Sequence, residues 1–492
     1  MNGGFSEFFN RNDYFLITPA VLLALFGCGI LLIDFLHDTR QKFMNALTAL
    51  VGLSFVAYQL IRIQNQMDAV QMPELAGLNN SLLVDHFAIF FMLVCVAATF
   101  ISVLISVRYM EIEHENHGEY YALMLFSLLG MYFMITGMDL VTLFIGLETM
   151  ALSGYVLAGF LRGDKRSNEG AMKYFLLGAF SSGLLAFGFS LLYGISGSTN
   201  LQTIAQALGQ RSSGDPLASL ALLTTVTGLL FKVAAVPFHQ WAPDAYEGAP
   251  TSITGFLSTG PKAAAFAFLM RILLVGLAPM RDSGWKPMLI AVAIVTMTVG
   301  NLAAVTQNNT KRLFAYSSIS HVGYILLGLV AGNETGLKGI AVYILVYAFM
   351  NLGAFTVLVA LRHGNVIGDE IEDLSGLFFR NPGAAVMMLI FLLSLAGIPP
   401  MAGFLGKYFI FLSLIETGHT GLAAFAVLYV AVSLYYYMRM TVMMFMREPV
   451  EREPLTLSPG IRIALGLTLA GTVIIGLYPE PIIQLATSAI LR

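Results

Sequence analysis

The sequence predicts an all-α polytopic membrane protein with about 14 transmembrane helices, some of them broken. Hydrophobic residues make up 57% of the 492 residues and charged residues only 11%, and the mean hydropathy is +0.77. Soluble domains carry about a quarter charged residues. Apolar runs of about 20 residues, the length that crosses a bilayer as a helix, recur along the chain. These observations predict a chain that lies almost entirely within a membrane.

The predicted spans follow one another with short polar connections. They begin near residues 14, 42, 84, 120, 139, 170, 216, 251, 287, 312, 337, 383, 421 and 460. The segments 231–262 and 395–410 contain prolines that should break their helices. The N-terminus lacks the basic region and cleavage site of a signal peptide, so we expect the first span to be retained.

An internal repeat is visible in the order of small and aromatic residues. At an offset of 169 positions, Gly154-Tyr155 recurs as Gly323-Tyr324, Gly170 as Gly339, and Tyr174 as Tyr343. Each copy would contain five spans, an odd number, so the two copies should be inverted, as in secondary transporters. We therefore divide the chain into 1–119 (helices 1–3), 120–280 (first repeat, helices 4–8), 281–447 (second repeat, helices 9–13) and 448–492 (helix 14). Chance matching of common membrane residues is the alternative.

The charge distribution indicates orientation and partners. Lysines and arginines are more numerous in the loops after odd-numbered spans than in those after even-numbered spans. The positive-inside rule then predicts a multi-pass protein with both termini on the outer side of the membrane. The near balance of 26 basic and 29 acidic residues argues against nucleic acid as a partner. Membrane lipid is the expected surrounding.

The sequence predicts no cofactor or metal bound by this chain. Its two cysteines, Cys28 and Cys95, cannot supply the four thiolates of an iron–sulfur cluster. No glycine-rich nucleotide loop follows a strand pattern. The acidic and histidine-containing segment from Glu111 to His117 resembles a metal site in composition, but we interpret it as a solvated loop.

Lysines within apolar spans are the strongest functional signal. They are Lys173, Lys232, Lys262 and Lys407. An ammonium group at membrane depth costs at least a few kcal/mol, so such residues usually face a polar interior and serve an ion pathway. The last three lie near Pro237, Pro261 and Pro400, each of which should interrupt its helix. Non-helical backbone at that depth persists only in protein or beside a wet cavity. The pattern predicts a route for charge across the membrane.

Other ionisable groups extend this route. Glu148 in the fifth span is a natural partner for Lys232, and a carboxylate that approaches or leaves a lysine changes how tightly it holds its proton. His239 and His321 are candidate relay members. Static alternatives stay open: a fixed ion pair for Glu148, hydrogen-bonded structural histidines, and a Lys173 that reaches the interface. Arg271 and Arg439 stay protonated at any biological pH, so we expect them to anchor structure.

The run from Lys232 to Thr251 reads KVAAVPFHQWAPDAYEGAPT. It resembles the signature of the antiporter-like membrane subunits of respiratory complex I, in the form of the N-type subunit. The segments Gly146–Glu148, Tyr316–His321 and Leu395–Lys407 resemble the same family. The resemblance covers essentially the whole chain. Lys407 favours the N-type over the M-type subunit, which carries glutamate there.

The resemblance implies fourteen helices with two inverted five-helix repeats in a proton-pumping NADH–quinone oxidoreductase. It implies that Glu148 pairs with Lys232, that Lys262 is the central relay group and that Lys407 leads to the exit side; Lys173 matches a further implicated lysine. NADH, FMN, iron–sulfur clusters and quinone would be bound by other subunits. The partners would be other membrane subunits, including related antiporter-like ones. Quinone reduction elsewhere would drive the relay.

Four alternatives to this interpretation differ in testable ways. A subunit of a multi-subunit sodium/proton antiporter shares the lysines near broken helices. The equivalent subunit of a ferredoxin-fed photosynthetic complex shares the motifs. A haem- or quinone-binding redox subunit needs paired histidines at matched depth, and only His321 lies well inside a span. A structural scaffold does not explain four lysines at membrane depth.

Overall fold

The computed structural model describes residues 11–36, 42–212, 214–362, 368–449 and 454–491. Both chain ends, whose side of the membrane the sequence predicts, include residues outside these ranges. Within them the chain forms nineteen α-helices and one two-stranded sheet. The helices are α1 Arg11–Leu36, α2 Phe43–Val70, α3 His86–Ile112, α4 Gly118–Thr136, α5 Leu140–Ala158, α6 Lys165–Ser196, α7 Leu201–Gly209, α8 Pro216–Lys232, α9 Trp241–Gly248, α10 Thr251–Arg271, α11 Lys286–Thr306, α12 Thr310–Ala331, α13 Glu334–Leu361, α14 Leu377–Arg380, α15 Pro382–Ala396, α16 Ala402–Glu416, α17 Thr420–Met446, α18 Pro459–Leu477 and α19 Glu480–Ser488.

The helical membrane fold predicted from the sequence is confirmed. In the described part of the chain, twelve helices are long and apolar enough to cross a bilayer. Two shorter apolar helices, α8 and α15, are each followed by a non-helical break and a second helix, α9 or α16. Counting each interrupted pair as one span gives fourteen, which matches the predicted number. The breaks lie at 233–240 and 397–401, where the sequence places Pro237 and Pro400.

The prediction that Pro261 interrupts its helix is wrong. Helix α10 continues through Pro261 and all its residues are buried. It packs against α3, α4 and α13. A helix enclosed by neighbours can tolerate the missing N–H of proline because adjacent groups satisfy the freed backbone atoms. Lys262 therefore projects from a continuous helix.

A short hairpin is the main exception to the all-α prediction. Strands β1, Glu74–Gly77, and β2, Leu82–Asp85, pair antiparallel between α2 and α3, where the sequence predicts only a polar connection between two spans. Arg271 Nη2 contacts Asp85 Oδ1 at 2.8 Å, which ties the hairpin to the end of α10. Arg439 donates to the carbonyl oxygen of Gln307 at 3.0 Å, just after α11. Both contacts fit the anchoring roles predicted for these arginines.

The two halves of the chain share a packing arrangement around their broken helices. Helix α6 packs against α8 and α9, and α13 packs against α15 and α16. A Cβ atom on Gly170 of α6 would lie 2.6 Å from the carbonyl oxygen of Asp244 on α9. A Cβ on Gly339, its counterpart in the predicted repeat, would lie 3.1 Å from the backbone nitrogen of Ile410 on α16. Both glycines thus permit a close helix approach. This parallel supports the repeat, while its boundaries and inversion stay predictions.

Candidate functional site

Glu148 and Lys232 meet where α5, α6 and α8 pack together. Lys232 is the last residue of α8, and its side chain is only 5% exposed, whereas that of Glu148 on α5 is 26% exposed. Their charged atoms, Nζ and Oε1, are 3.9 Å apart. Ser182 of α6 lies between them: its hydroxyl donates to Glu148 Oε1 at 2.5 Å and accepts from Lys232 Nζ at 3.1 Å. The predicted pair is present but bridged by a hydroxyl.

Lys262 is buried in the centre of α10. Its Nζ donates a short hydrogen bond to the hydroxyl oxygen of Ser318 on α12. The same oxygen accepts a hydrogen bond of 2.7 Å from the hydroxyl of Tyr347 on α13. Within the described residues no carboxylate forms an ion pair with Lys262. A buried ammonium without a counter-ion is costly, which is typical of a functional position.

His321 of α12 is buried among hydroxyl groups. Its Nδ1 lies 2.6 Å from the hydroxyl of Tyr343 on α13, and its Nε2 lies 3.1 Å from that of Tyr437 on α17. The Tyr437 hydroxyl also lies 2.5 Å from Ser317 Oγ. A neutral imidazole donates with one nitrogen and accepts with the other, and a hydroxyl can do either. This arrangement can pass a proton, and it also satisfies a structural histidine.

Lys407 of α16 is buried beside the second helix break. Its Nζ donates to the carbonyl oxygens of Leu395 at 3.0 Å and Ala396 at 2.8 Å, the last two residues of α15. The ammonium also lies 5.2 Å from the ring centroid of Tyr324. Carbonyl groups at a helix C-terminus carry partial negative charge and favour a cation. The interruption of the span thus creates the binding place of this lysine.

Lys173 lies in a partly exposed network of charges and is 44% exposed. Its Nζ contacts both Glu169 Oε1 and Asp244 Oδ2 at 2.7 Å. Arg312 Nη1 contacts the other oxygen of Asp244 at 2.7 Å and Glu247 Oε2 at 2.8 Å. This network joins α6, α9 and α12, so it holds the second half of the first broken span. The ion pairs of Lys173 are thus with Glu169 and Asp244, and they do not include the Glu148–Lys232 pair.

His239 is not brought into contact with the other predicted relay residues. It lies in the break between α8 and α9 and is partly buried. Its Nδ1 is buried and, among the atoms that the structure describes, has no hydrogen-bond partner. An orphaned buried nitrogen next to non-helical backbone is a place where water can bind.

The segment from Glu111 to His117 is partly helical, because α3 continues to Ile112. Glu115 Oε2 contacts His117 Nε2 at 3.2 Å, and both side chains are 40% or more exposed. The solvated interpretation fits Glu115 and His117, whereas Glu113 is only 16% exposed and forms an ion pair with Arg362. Within the described ranges no group of three or more potential ligands could hold a metal ion.

Sequence reasoning missed the hydroxyl groups that connect the ionisable ones. They are Ser182, Ser318, Tyr343, Tyr347 and Tyr437. Two of them could have been found from the sequence. Ser318 lies three positions before His321 in the segment Tyr316–His321, and Tyr343 is the counterpart of Tyr174 in the predicted repeat. Ser182 carried none, because Ser181 beside it has the same side chain.

Comparisons with known proteins agree with this architecture. The family described as NADH:quinone oxidoreductase/Mrp antiporter, TM, matches residues 137–449. NADH-quinone oxidoreductase subunit N 2 of Solibacter usitatus is 57% identical over 491 residues, covering 99% of each chain. A chain of respiratory complex I from Thermus thermophilus with bound aureothin is 31% identical with a TM-score of 0.80, covering 96% of this chain and 100% of that one.

A chain of the Mrp complex from Dietzia sp. DQ12-45-1b has a TM-score of 0.83 at 21% identity, covering 98% of this chain and 97% of its own. At that identity the likeness shows a shared fold alone. The relatives and the matched family together identify the kind of subunit. The chain belongs to the subunit N family of NADH-quinone oxidoreductase, the antiporter-like membrane subunits of respiratory complex I.

Proposed function

We propose that this chain translocates protons through a relay of Glu148, Lys232, Lys262, His321 and Lys407. The observation that carries the proposal is the succession of buried lysines, each hydrogen-bonded to a hydroxyl or a carbonyl group instead of a close carboxylate. Lysine suits such a relay because it binds and releases a proton on a flexible stem. The chain would act within an NADH–quinone oxidoreductase, with NADH, FMN, iron–sulfur clusters and quinone bound by other subunits.

Glu148 is the group that a neighbouring membrane subunit can influence. It is a quarter exposed, and its α5 neighbours Ile145 and Leu152 are more than half exposed. Two unit charges 4 Å apart interact by about 4 kcal/mol at an effective dielectric of 20. Since about 1.4 kcal/mol is a factor of ten in equilibrium, losing that interaction changes proton binding at Lys232 by about a thousandfold. Quinone reduction elsewhere would deliver the electrostatic change.

From Lys232 the proton would then move to Lys262 and on toward Lys407, along a path on which serine and tyrosine hydroxyl groups lie next to the ionisable residues. Lys262 and His321 are joined through α12, which carries both Ser318 and His321. Lys407 would receive the proton at the second break and lead it to the exit side. Gaps that no side chain spans would be bridged by water. Protons would pass from the first half of the chain to the second at its centre, where α10, α12 and α13 are almost fully buried.

Two further residues would serve the uptake side. Lys173 would collect protons at the partly exposed network around Asp244. His239, with its orphaned nitrogen, would hold water in the first break. We also propose that the chain lies in the bacterial inner membrane with both termini on the periplasmic side, next to other membrane subunits that include related antiporter-like ones.

A second candidate function is sodium/proton exchange in a multi-subunit antiporter. The description of the matched family, which names the Mrp antiporter beside NADH:quinone oxidoreductase, favours it. The two functions differ in their dependence on sodium. Pumping by the proposed relay needs only redox turnover and protons, whereas exchange stops when sodium is absent. A ferredoxin-fed complex would use the same relay with a different electron donor.

The test compares Lys232→Ala with the wild-type chain in the assembled complex, in sealed membrane vesicles. Proton uptake and quinone reduction are recorded together. We expect pumping to be lost and turnover to slow, while the amount of assembled complex stays the same. Lys338→Ala is the control, because this lysine lies near the start of α13 over the ring of Phe409 and outside the relay. Normal pumping by Lys232→Ala would overturn the proposal.

A further inference from the structure

We propose that Ser182 is the proton link between Glu148 and Lys232, so that the pair exchanges a proton through the serine hydroxyl. The inference rests on the proposed function and adds a residue and a step to it. Its starting point is a comparison of distances. Lys232 Nζ is 3.9 Å from Glu148 Oε1, beyond hydrogen-bond length, whereas Ser182 Oγ is within hydrogen-bond length of both.

The direction of each hydrogen bond follows from the chemistry of the three groups. An ammonium group can only donate, so the Ser182 oxygen accepts from Lys232. The carboxylate can only accept, so the serine proton points to Glu148. The hydroxyl is therefore polarised between a cation and an anion.

The bonding of Ser182 differs from that of an ordinary serine in a helix. Such hydroxyls usually donate to a carbonyl oxygen one turn earlier in the same helix. Ser153 on α5 does so, donating to the carbonyl oxygen of Thr149 at 2.9 Å. The neighbouring Ser181 donates instead to the carbonyl oxygen of Gly228 on α8, at 3.1 Å. Ser182 donates to a side chain on another helix, so its proton lies between the two ionisable groups.

This geometry allows a balanced proton transfer. When Glu148 is protonated and Lys232 is a neutral amine, the carboxyl proton moves to the Ser182 oxygen. At the same time the original hydroxyl proton leaves that oxygen for Lys232 Nζ. One O–H bond is broken at Glu148, one O–H bond is exchanged at Ser182, and one N–H bond forms at Lys232. The products are a carboxylate, an ammonium group and an intact hydroxyl, so no other reactant is needed.

A matched pair of substitutions separates the hydroxyl from its volume. Ser182→Thr keeps the hydroxyl and adds a methyl group, whereas Ser182→Val has the same shape with no hydroxyl. Both are assembled into the complete complex, and proton uptake and quinone reduction are measured in vesicles. We expect Ser182→Val to pump at least tenfold more slowly than Ser182→Thr. Ser181→Ala is the control, because the Ser181 hydroxyl donates to a backbone carbonyl oxygen, that of Gly228 on α8, and to neither Glu148 nor Lys232.

Infrared difference spectroscopy of the turnover reaction gives a readout that a purely structural role would not change. The carboxyl band of Glu148 is identified as the one that disappears in Glu148→Gln. We expect this band to be present in the spectrum of Ser182→Thr and absent from that of Ser182→Val. Equal pumping and an equal carboxyl band in the Thr and Val variants would overturn the inference. If Lys232→Ala still abolishes pumping in that case, only the serine link has failed. Normal pumping by Lys232→Ala would mean that the relay itself has failed.

Discussion

Lys262 offers a sharp test of the relay because two substitutions separate its proton from its charge. Lys262→Met removes the ammonium group but retains a long flexible side chain. Lys262→Arg retains a cation and hydrogen-bond donors for Ser318, yet arginine does not release its proton at any biological pH. A relay lysine should therefore fail with either replacement. A lysine that only supplies a fixed charge should tolerate arginine.

The size of the effect follows from the burial of Lys262. The residue is buried with the whole of α10, and within the described residues no carboxylate pairs with it. Without a proton acceptor at position 262, a proton must cross the centre of the membrane as a charge that no side chain binds. The cost of a charged group at that depth is about 3 kcal/mol, as measured by the insertion of charged residues into membrane helices. Since each 1.4 kcal/mol or so is tenfold in rate, proton transfer should slow about 100-fold.

The assay records quinone-dependent proton uptake in proteoliposomes that contain the purified complex, with assembly checked by subunit content. Lys262→Met should assemble because it removes a buried cation that is costly at membrane depth, and Lys262→Arg should assemble because it retains a cation and donors for Ser318. Both should lose pumping to a similar extent. Pumping by Lys262→Arg at the wild-type rate would refute the reasoning and reduce Lys262 to a static charge.

Three further predictions concern packing, the surface network and pH. Gly170→Ala should disturb the packing of α9 and lower the thermal stability of the complex, whereas Gly183→Ala on the same helix, with no atom within 4 Å of the new Cβ, should not. Lys173→Ala should reduce pumping less than tenfold, because Lys173 is 44% exposed and exposed ion pairs contribute about 1 kcal/mol or less. The hydrogen bond from Arg211, at 2.6 Å, holds the pKa of Asp215, the cap of α8, below its usual value. The ionised Asp215 carboxylate should therefore stabilise the start of α8 above about pH 4, and this stabilisation should be lost as the pH falls below that value. Hydrogen exchange of the backbone amides in the first turn of α8 can measure the loss. Protection of these amides that does not change with pH would contradict the prediction.

The sequence was sufficient for the features that depend on hydropathy and on proline. The apolar runs predicted the fourteen spans, and Pro237 and Pro400 marked the two breaks. The proximity of Glu148 and Lys232, which the family resemblance implied, is present at 3.9 Å. The spans and breaks are local features of the sequence, whereas the pairing of Glu148 with Lys232, on different helices, was available only through the resemblance of their two motifs to a known family.

Features that depend on surrounding helices could not be predicted in the same way. Pro261 does not break α10, because burial on all sides supports the helix there. The hairpin after α2 has strands of only four residues, too short for a clear alternating pattern. The bridging role of Ser182 depends on which way one hydroxyl points, and its neighbour Ser181 makes a different bond. Side-chain direction of this kind requires the packed structure.

The most direct test of the central claim, that one connected path runs through both halves of the chain, is a double-substitution experiment. Proton pumping per electron transferred is measured for Lys232→Ala, Lys407→Ala and the two together, in fully assembled complex. If both lysines belong to one path, each single change should lower the ratio to the same value and the double change should lower it no further. A double variant that pumps clearly less than either single variant would mean separate paths and would contradict the account.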